Sequence, residues 1–499
     1  MLSLAFVAAI ISSAAVANAD GVPSVSLETG AACACEKLSA KYGNEILTSD
    51  STNYTEEATA YWDIRSDLSP KCIFLPKAAD EVADAISIVY SCGTQFAIRG
   101  GGHMNFPGSN NIDGGVLLAL NQLTDIDIAK DNKTFEVGPG ARWVDVYSAL
   151  APYDLYCIGG RLKTIGVPGL TLIGGFHYLI NKYGMVMDNV LSYDVVLGNG
   201  TQVVANSTTN RELFWALKGG GSNFGVVTKF TFKALPIPLL STTIQQFNES
   251  NVYGFIKATV GFAEKRRPEL AAGSVISITY NLTSNTISPS LLGVQEGTES
   301  PPSSFFGFSS IPSVAKVNKV MRPIEWHTPL ESPEQMFRIQ FAHKTIKPNT
   351  KQLYRIYQSW KAAVEEVKDV EGLLPTFVMN VLPATAASIA KRNGIGNAWG
   401  LEDDQSYILW QLATSWAKST DDLRMTNWAQ SFVEGWHAEN EAKGLASDFI
   451  YMGDAGEFQD AFAGLPLKNV RRLRAVREQY DPEAVFSRLN WGGFKLGAV

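Results

Sequence analysis

Hydrophobic residues early in the chain follow a strand, helix and strand pattern that ends in glycine. Apolar runs at 71–76 and 95–99 have the length of short strands, and the segment 78–91 between them has apolar residues at helical spacing. This order predicts a βαβ unit. The second strand runs directly into three consecutive glycines at 100–102.

Shorter patterns of the same kind continue to about residue 238. They predict helices at 32–42, at 142–151 and from 212, strands at 116–120, 121–127, 134–137, 192–197, 201–205 and 228–233, and an irregular arm at 52–66. The strands at 192–197 and 201–205 are joined by a Gly-Asn-Gly turn, which is typical of a hairpin.

From about residue 239, glycine becomes rarer and amphipathic helices alternate with strands. We expect strands at 274–280, 338–342, 376–381 and 406–414, helices at 351–367 and 420–443, and a loop at 284–310. These elements predict an antiparallel sheet covered by helices, so the fold class is α+β.

Composition excludes some classes of function. The chain has 499 residues, which favours two or three cooperating units, and its 45% hydrophobic residues are enough for large cores. A net charge of −7 without a compensating basic cluster argues against nucleic acid as a partner.

The N-terminus has the features of a secretory leader. Residues 1–19 are apolar and end in Ala-Asn-Ala, the small-x-small pattern of a cleavage site, although no Lys or Arg precedes the apolar run. No second apolar run reaches membrane length, so we expect a secreted or vesicular protein and no membrane partner. Six Asn-x-Ser/Thr sites fit this route: Asn53, Asn132, Asn199, Asn206, Asn248 and Asn281.

All five cysteines lie in the first third of the chain, at positions 33, 35, 72, 92 and 157. An oxidising compartment favours disulfides, and we expect Cys33 or Cys35 to pair with Cys72, with one thiol left over. Paired CxxC or histidine spacing is absent from the sequence, so no metal site is expected.

The stretch Phe96 to Gly115 offers the strongest chemical signal. Gly100, Gly101 and Gly102 let the backbone turn sharply and present N–H groups to an anion, and a second set of turn formers follows at 108–111. The spacing fits neither the dinucleotide fingerprint nor a Walker loop. On spacing alone, the segment is either a phosphate-binding loop or a glycine-rich hairpin with a solvent-facing histidine.

The motif RGGGH, followed by a glycine pair and the apolar run 116–120, resembles the first flavin-binding segment of the p-cresol methylhydroxylase and vanillyl-alcohol oxidase superfamily. Within it, the chain is most similar to berberine-bridge-enzyme-like fungal FAD-linked oxidoreductases. The resemblance implies that His103 is bonded to the 8α-methyl group of FAD. It also implies an arm at 20–66, an FAD-binding domain at 67–238, a substrate domain at 239–445 and a return to the FAD domain at 446–499.

Two further glycine-rich blocks, 159–177 and 212–227, resemble the family's second and third flavin segments. The resemblance implies that the following residues contact FAD: Arg99, Gly100, Gly101, Gly102, Met104, Gly108, Ser109, Gly166, Val167, Gly169, Thr171, Gly174, Gly175, Tyr183, Asn189, Gly221, Asn223, Gly225, Val226, Val227, Tyr451 and Asn490. Pro168 and Ile173 stand where the family usually has glycine. Relatives with a second covalent bond carry a cysteine in this block, and its absence predicts a single bond through His103.

Catalytic candidates lie near the C-terminus and on the predicted roof strands. Tyr451 and Asp454 match the family's strand of aromatic hydroxyl groups over the flavin, although Gly453 replaces a common asparagine. Packing alone is the alternative role for Tyr451. Asn380, Tyr407 and Trp410 are possible pocket residues, with core packing favoured for Trp410, and His177 faces either the pocket or the surface.

The resemblance therefore implies an FAD-dependent oxidase that acts on a small specialised metabolite, with O2 as acceptor, by oxidation or oxidative cyclisation. Three alternatives stay open at this point: a secreted oligosaccharide or alditol oxidase, a flavin-retaining cyclase without net redox chemistry, and a flavin-binding surface antigen without turnover.

Overall fold

The computed structural model describes residues 27–265, 269–331, 338–392 and 394–497. The predicted leader at 1–19 and the first residues of the predicted arm lie outside the described residues. No helix within these ranges is long and apolar enough to cross a bilayer.

Strands and helices alternate along the described chain. The strands are β1 Ile46–Leu47, β2 Cys72–Phe74, β3 Phe96–Arg99, β4 Val116–Ala119, β5 Ile126–Ile128, β6 Thr134–Val137, β7 Val190–Val196, β8 Gln202–Asn206, β9 Val226–Lys233, β10 Leu240–Gln246, β11 Ala272–Asn281, β12 Thr286–Glu296, β13 Ala315–Met321, β14 Arg338–Ile346, β15 Leu374–Leu382, β16 Tyr407–Trp416 and β17 Ala446–Ser447. The α-helices are α1 Leu27–Tyr42, α2 Tyr54–Ala58, α3 Ala79–Cys92, α4 Trp143–Leu150, α5 Val167–Leu172, α6 Ile180–Tyr183, α7 Arg211–Ala216, α8 Val252–Glu264, α9 Phe306–Ser309, α10 Pro323–His327, α11 Thr350–Glu365, α12 Ala384–Arg392, α13 Asp422–Ala442, α14 Leu467–Tyr480 and α15 Val485–Arg488.

The predicted βαβ unit forms the smallest of three sheets. Its strand order is β1-β2-β4-β3, and β2 and β3 each pair in parallel with the central β4. Val82 and Val89 of α3 are fully buried against this sheet. Because β3 ends at Arg99, the three glycines leave the sheet at the carboxyl end of its parallel strands, where ligands commonly bind in α/β units.

An antiparallel sheet of order β5-β6-β9-β7-β8 completes the first half of the fold. The predicted hairpin is confirmed, since β7 pairs with β8 from Ser192 opposite Asn206 to Val196 opposite Gln202. The strand predicted at 121–127 is limited to β5, because a turn at 120–123 precedes it, with the Leu123 N–H donating to Leu120 O at 3.0 Å.

The second half is built on an eight-stranded antiparallel sheet of order β13-β10-β12-β11-β15-β16-β14-β17. Side chains alternate between its two faces. Phe377 and Trp410 are fully buried in the core under α8, α11 and α13, which confirms core packing for Trp410. Asn380 lies on the opposite face, toward the first half of the fold. The predicted α+β class is confirmed.

The loop predicted at 284–310 was wrong, because residues 286–296 form β12. Its sequence, TISPSLLGVQE, contains Pro289 and Gly293 and three polar residues before its apolar centre, which lowers its local preference for a strand. Pairing with β10 on one side and β11 on the other supplies the hydrogen bonds that make it a strand. Tertiary pairing therefore overrides the local pattern here.

Two disulfides hold helix α1 against the small sheet. Cys35 pairs with Cys72, which confirms one of the two predicted alternatives. Cys33 pairs with Cys92 at the end of α3. Cys157 is the leftover thiol and is fully buried.

This pairing predicts the number of reactive thiols. In native protein a thiol reagent should find none, because Cys157 has no exposed surface. Denaturation without reductant should expose one thiol, and denaturation with reductant should expose all five cysteines. Three thiols in the unreduced, denatured protein would show that one of the two disulfides does not form.

Candidate active site

The three glycines after β3 leave a row of backbone N–H groups without partners. Within the described residues, the N–H groups of Gly100, Gly101 and Gly102 donate no hydrogen bond. Their carbonyls, in contrast, face the protein: Gly101 O accepts from Arg142 Nη1 at 3.1 Å and Gly102 O from the Trp62 N–H at 2.9 Å. Consecutive N–H groups that remain free in this way form a nest for an anion such as a phosphate.

Close backbone contact joins this first glycine segment to the second. A Cβ atom placed on Gly101 would lie 2.5 Å from Gly166 N, and one on Gly166 would lie 2.5 Å from Gly101 N. Gly100 lies under the Pro168 ring, and a Cβ atom placed on Gly100 would lie 2.4 Å from Pro168 Cγ. Pro168, a departure from the family pattern, occupies the first turn of α5, where proline is tolerated. The glycines therefore permit two chain segments to touch.

His103 is fixed in place directly beside the nest. Its ring stacks on Trp62, with centroids 4.6 Å apart and planes 16° from parallel, and its Nε2 lies 3.2 Å from Thr164 Oγ1. Exclusion from water lowers the pKa of His103 to about 4, with the nearby charge of Arg142 acting in the same direction. The imidazole is neutral at physiological pH, the form in which it is nucleophilic.

The third glycine segment and the C-terminal segment pack against the first two glycine segments. We call these packed segments the glycine cradle. The Gly221 N–H donates to Leu172 O at 3.0 Å, which ties the third segment to the second. Asn223 Nδ2 donates to Gly220 O at 2.8 Å and to Phe494 O at 3.0 Å. Gly108, at φ +78°, packs under Trp491, where a Cβ would lie 2.6 Å from Nε1. Chain segments near 101 and 166, near 172 and 221, and near 108 and 491 are thus joined by close contacts.

Several predicted cofactor-binding side chains hydrogen-bond to protein groups. These bonds join Arg99 to Glu57, the Thr171 hydroxyl to Val167 O (2.7 Å), the Tyr183 hydroxyl to Glu296 (3.0 Å), Asn189 Nδ2 to Tyr183 O and Met185 O (2.9 Å each), and Asn490 Nδ2 to Ser222 O (3.5 Å). They fix the segments that carry them. Their own contact with FAD, and that of Met104, Ser109, Val167, Gly169, Gly174, Gly175, Gly225, Val226 and Val227, stays a prediction.

Unpartnered polar atoms at the first segment fit a bound polar group. Asn105 Nδ2 and Asn110 Oδ1 are buried and have no hydrogen-bond partner in the described part of the chain. A Cβ on Gly169, in the first turns of α5, would meet nothing within 4 Å. Together with the three free N–H groups, these features match the phosphates and polar edges of a dinucleotide cofactor.

Asp454 belongs to a buried hydrogen-bond network with Asn380 and Arg161. Its Oδ2 accepts from Asn380 Nδ2 at 2.7 Å, and Asn380 Oδ1 accepts from Arg161 Nη1 at 2.9 Å. Burial raises the pKa of Asp454 to about 6, although Arg161 and Asn380 pull it down. The sequence had indicated Asn380 and Asp454 separately, whereas Arg161 was not among the predicted site residues.

Tyr451 packs beside Asp454 among aromatic rings. Its ring makes edge contacts with Phe176 and Trp399, at centroid distances of 4.9 and 5.7 Å. Burial and the charge of Asp454 raise the pKa of Tyr451, so its phenol stays protonated. A Cβ on Gly453 would lie 2.6 Å from the Tyr451 ring, so glycine at this position lets the ring fold back over the backbone.

His343 sets the backbone that carries these two residues. Its Nε2 accepts the Tyr451 N–H at 3.0 Å, and its Nδ1 lies 3.1 Å from Asp454 O. The carbonyl can only accept, so Nδ1 carries the proton and Nε2 is the acceptor. Trp399 closes the site from the other side, since a Cβ on Gly174 would lie 2.1 Å from its ring. Local patterns gave no signal for His343 or Trp399, because only the tertiary fold brings them here.

An open cleft lies beside this network. It is open to solvent and is lined by residues of both halves of the fold, among them Arg161, Phe176, His177 and Ser274. His177 therefore faces the cleft and is almost fully buried.

The βαβ unit, the glycine cradle and the antiparallel sheet that covers it are those of an FAD-dependent oxidoreductase. The chain belongs to the FAD-linked oxidoreductase family. Residues 70–206 match the FAD binding domain family. Over 480 residues the chain is 31% identical to the FAD-dependent monooxygenase prx3 of Penicillium roqueforti, covering 93% of each chain.

Solved structures share the fold at lower identity. The BBE-like 1 protein of Physcomitrella patens is 19% identical and superposes with a TM-score of 0.74, over 93% of this chain and 100% of that one. Glucooligosaccharide oxidase of Acremonium strictum is 20% identical, with a TM-score of 0.73 over 94% of this chain and 100% of that one. The predicted family is confirmed.

The raised pKa of Asp454 predicts a pH-dependent effect of Asp454→Asn. The Asp454 carboxyl group binds its proton more tightly in the folded chain than in the unfolded chain, where its pKa is near 3.8. Protonation of Asp454 therefore contributes its full stability below about pH 4, and this contribution is lost as the pH rises through about 6. Relative to wild type, the variant should gain up to about 3 kcal/mol in free energy of unfolding between about pH 4 and pH 8.

Urea unfolding of both proteins at the two pH values measures this change. Asp127→Asn, at an exposed position of β5, is the control and should show no such gain. Equal differences at both pH values for Asp454→Asn would contradict the raised pKa.

Gly453→Ala tests the packing of Tyr451. The added methyl group would overlap the Tyr451 ring and force it to move, so we expect a loss of roughly 1–3 kcal/mol in unfolding free energy and an altered near-UV circular dichroism spectrum. Gly435→Ala is the matched control, because nothing lies within 4 Å of its would-be Cβ in α13, and alanine there should be neutral or slightly stabilising. Equal stability of the two variants would exclude this packing.

Proposed function

We propose that this protein is a secreted oxidase that holds FAD covalently through His103 and oxidises a small, largely apolar specialised metabolite, with O2 as the electron acceptor. The observation that carries the proposal is the neutral, fixed imidazole of His103 directly after three free N–H groups. The relatives named as FAD-dependent monooxygenases support an FAD-dependent oxidation.

A single covalent bond is favoured by the second glycine segment. The Acremonium strictum enzyme is described as having a 6-S-cysteinyl, 8α-N1-histidyl FAD. Residues 159–177 of this chain contain no cysteine, and Cys157 just before them is fully buried. We therefore assign the tether to His103 alone.

Bound FAD would supply the redox chemistry, accepting a hydride from a substrate C–H bond and passing the electrons to O2. Asp454 is the candidate base for the accompanying O–H or N–H proton, because its Oδ1 accepts no hydrogen bond in the described chain and its pKa of about 6 leaves it ionised at neutral pH. Tyr451, kept protonated, is suited to donate a hydrogen bond to the reacting oxygen.

The cleft lining offers an apolar surface beside polar groups. Ile180, Leu270, Ala272, Val381 and Pro383 give the body of an apolar substrate a surface to pack on. The polar lining residues are Arg161, His177, Asn181, Lys265, Ser274 and Ser304. Secretion is supported by the two disulfides, which form and persist in oxidising compartments.

The test is His103→Ala. Wild type precipitated with acid should keep its yellow colour, with absorbance near about 450 nm, whereas the variant should lose all colour to the supernatant because its flavin is held without a covalent bond. His437→Ala, on the far helix α13, is the matched control and should retain its colour. Colour that leaves the wild type on precipitation would exclude the covalent bond, and a colourless native protein would exclude the oxidase.

A further inference from the structure

Arg161 is a partly buried cation in the cleft that makes no direct ion pair within the described residues. The described residues that line the cleft include no aspartate or glutamate. Asn380 links Arg161 to Asp454. Arg161 Nη1 donates to Asn380 Oδ1 at 2.9 Å, and Asn380 Nδ2 donates to Asp454 Oδ2 at 2.7 Å. A cation in this position attracts an anionic group that enters the cleft.

One complete edge of the guanidinium has no hydrogen-bond partner within the described residues. Nη1 donates to Asn380 Oδ1 at 2.9 Å and to Ser274 O at 3.5 Å. Nε and Nη2 donate to no group in the described residues. These two nitrogens form the edge with parallel N–H bonds, which matches the two oxygens of a carboxylate.

A buried chain of hydrogen bonds fixes the backbone of Arg161. The Leu179 N–H donates to His177 Nδ1 at 3.2 Å, which leaves the His177 proton on Nε2, 2.8 Å from the Tyr156 oxygen. The Tyr156 hydroxyl then donates to His327 Nε2 at 2.6 Å, and His327 Nδ1–H donates to Arg161 O at 3.2 Å. Only this set of tautomers satisfies all four bonds.

The imidazoles of His177 and His327 in this hydrogen-bond chain are both neutral, so they fix Arg161 without adding charge. Burial lowers the pKa of His327 to about 3 and that of His177 well below its usual range. His177, Tyr156 and His327 are each at most 3% exposed. They are positioning residues for Arg161.

We propose that the substrate is a small, largely apolar carboxylic acid and that the Nε/Nη2 edge of Arg161 binds its carboxylate. The aliphatic lining of the cleft takes the apolar body, and the Phe176 ring packs against the guanidinium at 5.9 Å. This assignment rests on the proposed function, because it names the substrate class of the same site.

Isothermal titration with 2-naphthoate and its neutral counterpart 2-naphthamide tests the assignment. Wild type should bind naphthoate about tenfold or more tightly than naphthamide, and Arg161→Gln should weaken naphthoate about tenfold while leaving naphthamide unchanged. Arg161→Lys keeps the charge without the paired N–H groups and should fall in between. Arg355→Gln, at an exposed arginine of α11, is the control and should bind as wild type does.

Tyr156→Phe tests the positioning chain with little change in volume. It should weaken naphthoate several-fold and leave naphthamide unchanged, a pattern that general loosening of the fold would not produce. Equal affinity of wild type for the two probes, absent binding of naphthoate, or equal loss of both probes in Arg161→Gln would overturn the assignment. Flavin content is measured on the same samples. Flavin-bearing protein that fails these tests refutes only the carboxylate assignment, whereas flavin-free protein refutes the proposed function.

Discussion

The site depends on one close contact, the packing of the Gly101 backbone against the Gly166 backbone. Neither position has room for a Cβ atom, and this contact brings the segment after β3 against the segment that leads into α5. It turns the Gly101 and Gly102 carbonyls toward Arg142 and Trp62 and leaves the N–H groups of 100–102 free. His103 follows directly, so the anion nest and the candidate tether are set by the same backbone geometry.

Segments that are distant in sequence pack around this contact. The third glycine segment joins through Gly221, and the C-terminal return packs Trp491 on Gly108. The eight-stranded sheet turns its helix-free face toward the cradle and brings Asn380 to Asp454. The large sheet is therefore the roof of the site, and its helices stabilise it from the outer face, where Phe377 and Trp410 are buried. Arg161, in the segment that follows α4, links roof and floor through Asn380.

Much of this could be predicted from sequence, and the exceptions have physical reasons. Strands and helices with clear periodicity appeared at the expected places, and the order of glycine motifs indicated the cradle and His103. The strand β12 was missed because its pairing with β10 and β11, not its local pattern, makes it a strand. The chain from His177 to Arg161 joins residues up to 171 positions apart, so no local spacing reveals it. The role of Gly453 became clear only from the position of the Tyr451 ring.

The central claim is that the cradle holds FAD with His103 as its tether, and peptide mass spectrometry tests it most directly. Trypsin cuts after Arg99 and Lys130, so the peptide Gly100–Lys130 contains His103 and no other histidine. We predict that this peptide carries the mass of FAD less two hydrogen atoms, with fragmentation placing the addition on His103. An unmodified Gly100–Lys130 peptide from yellow protein, or flavin on another peptide, would contradict it.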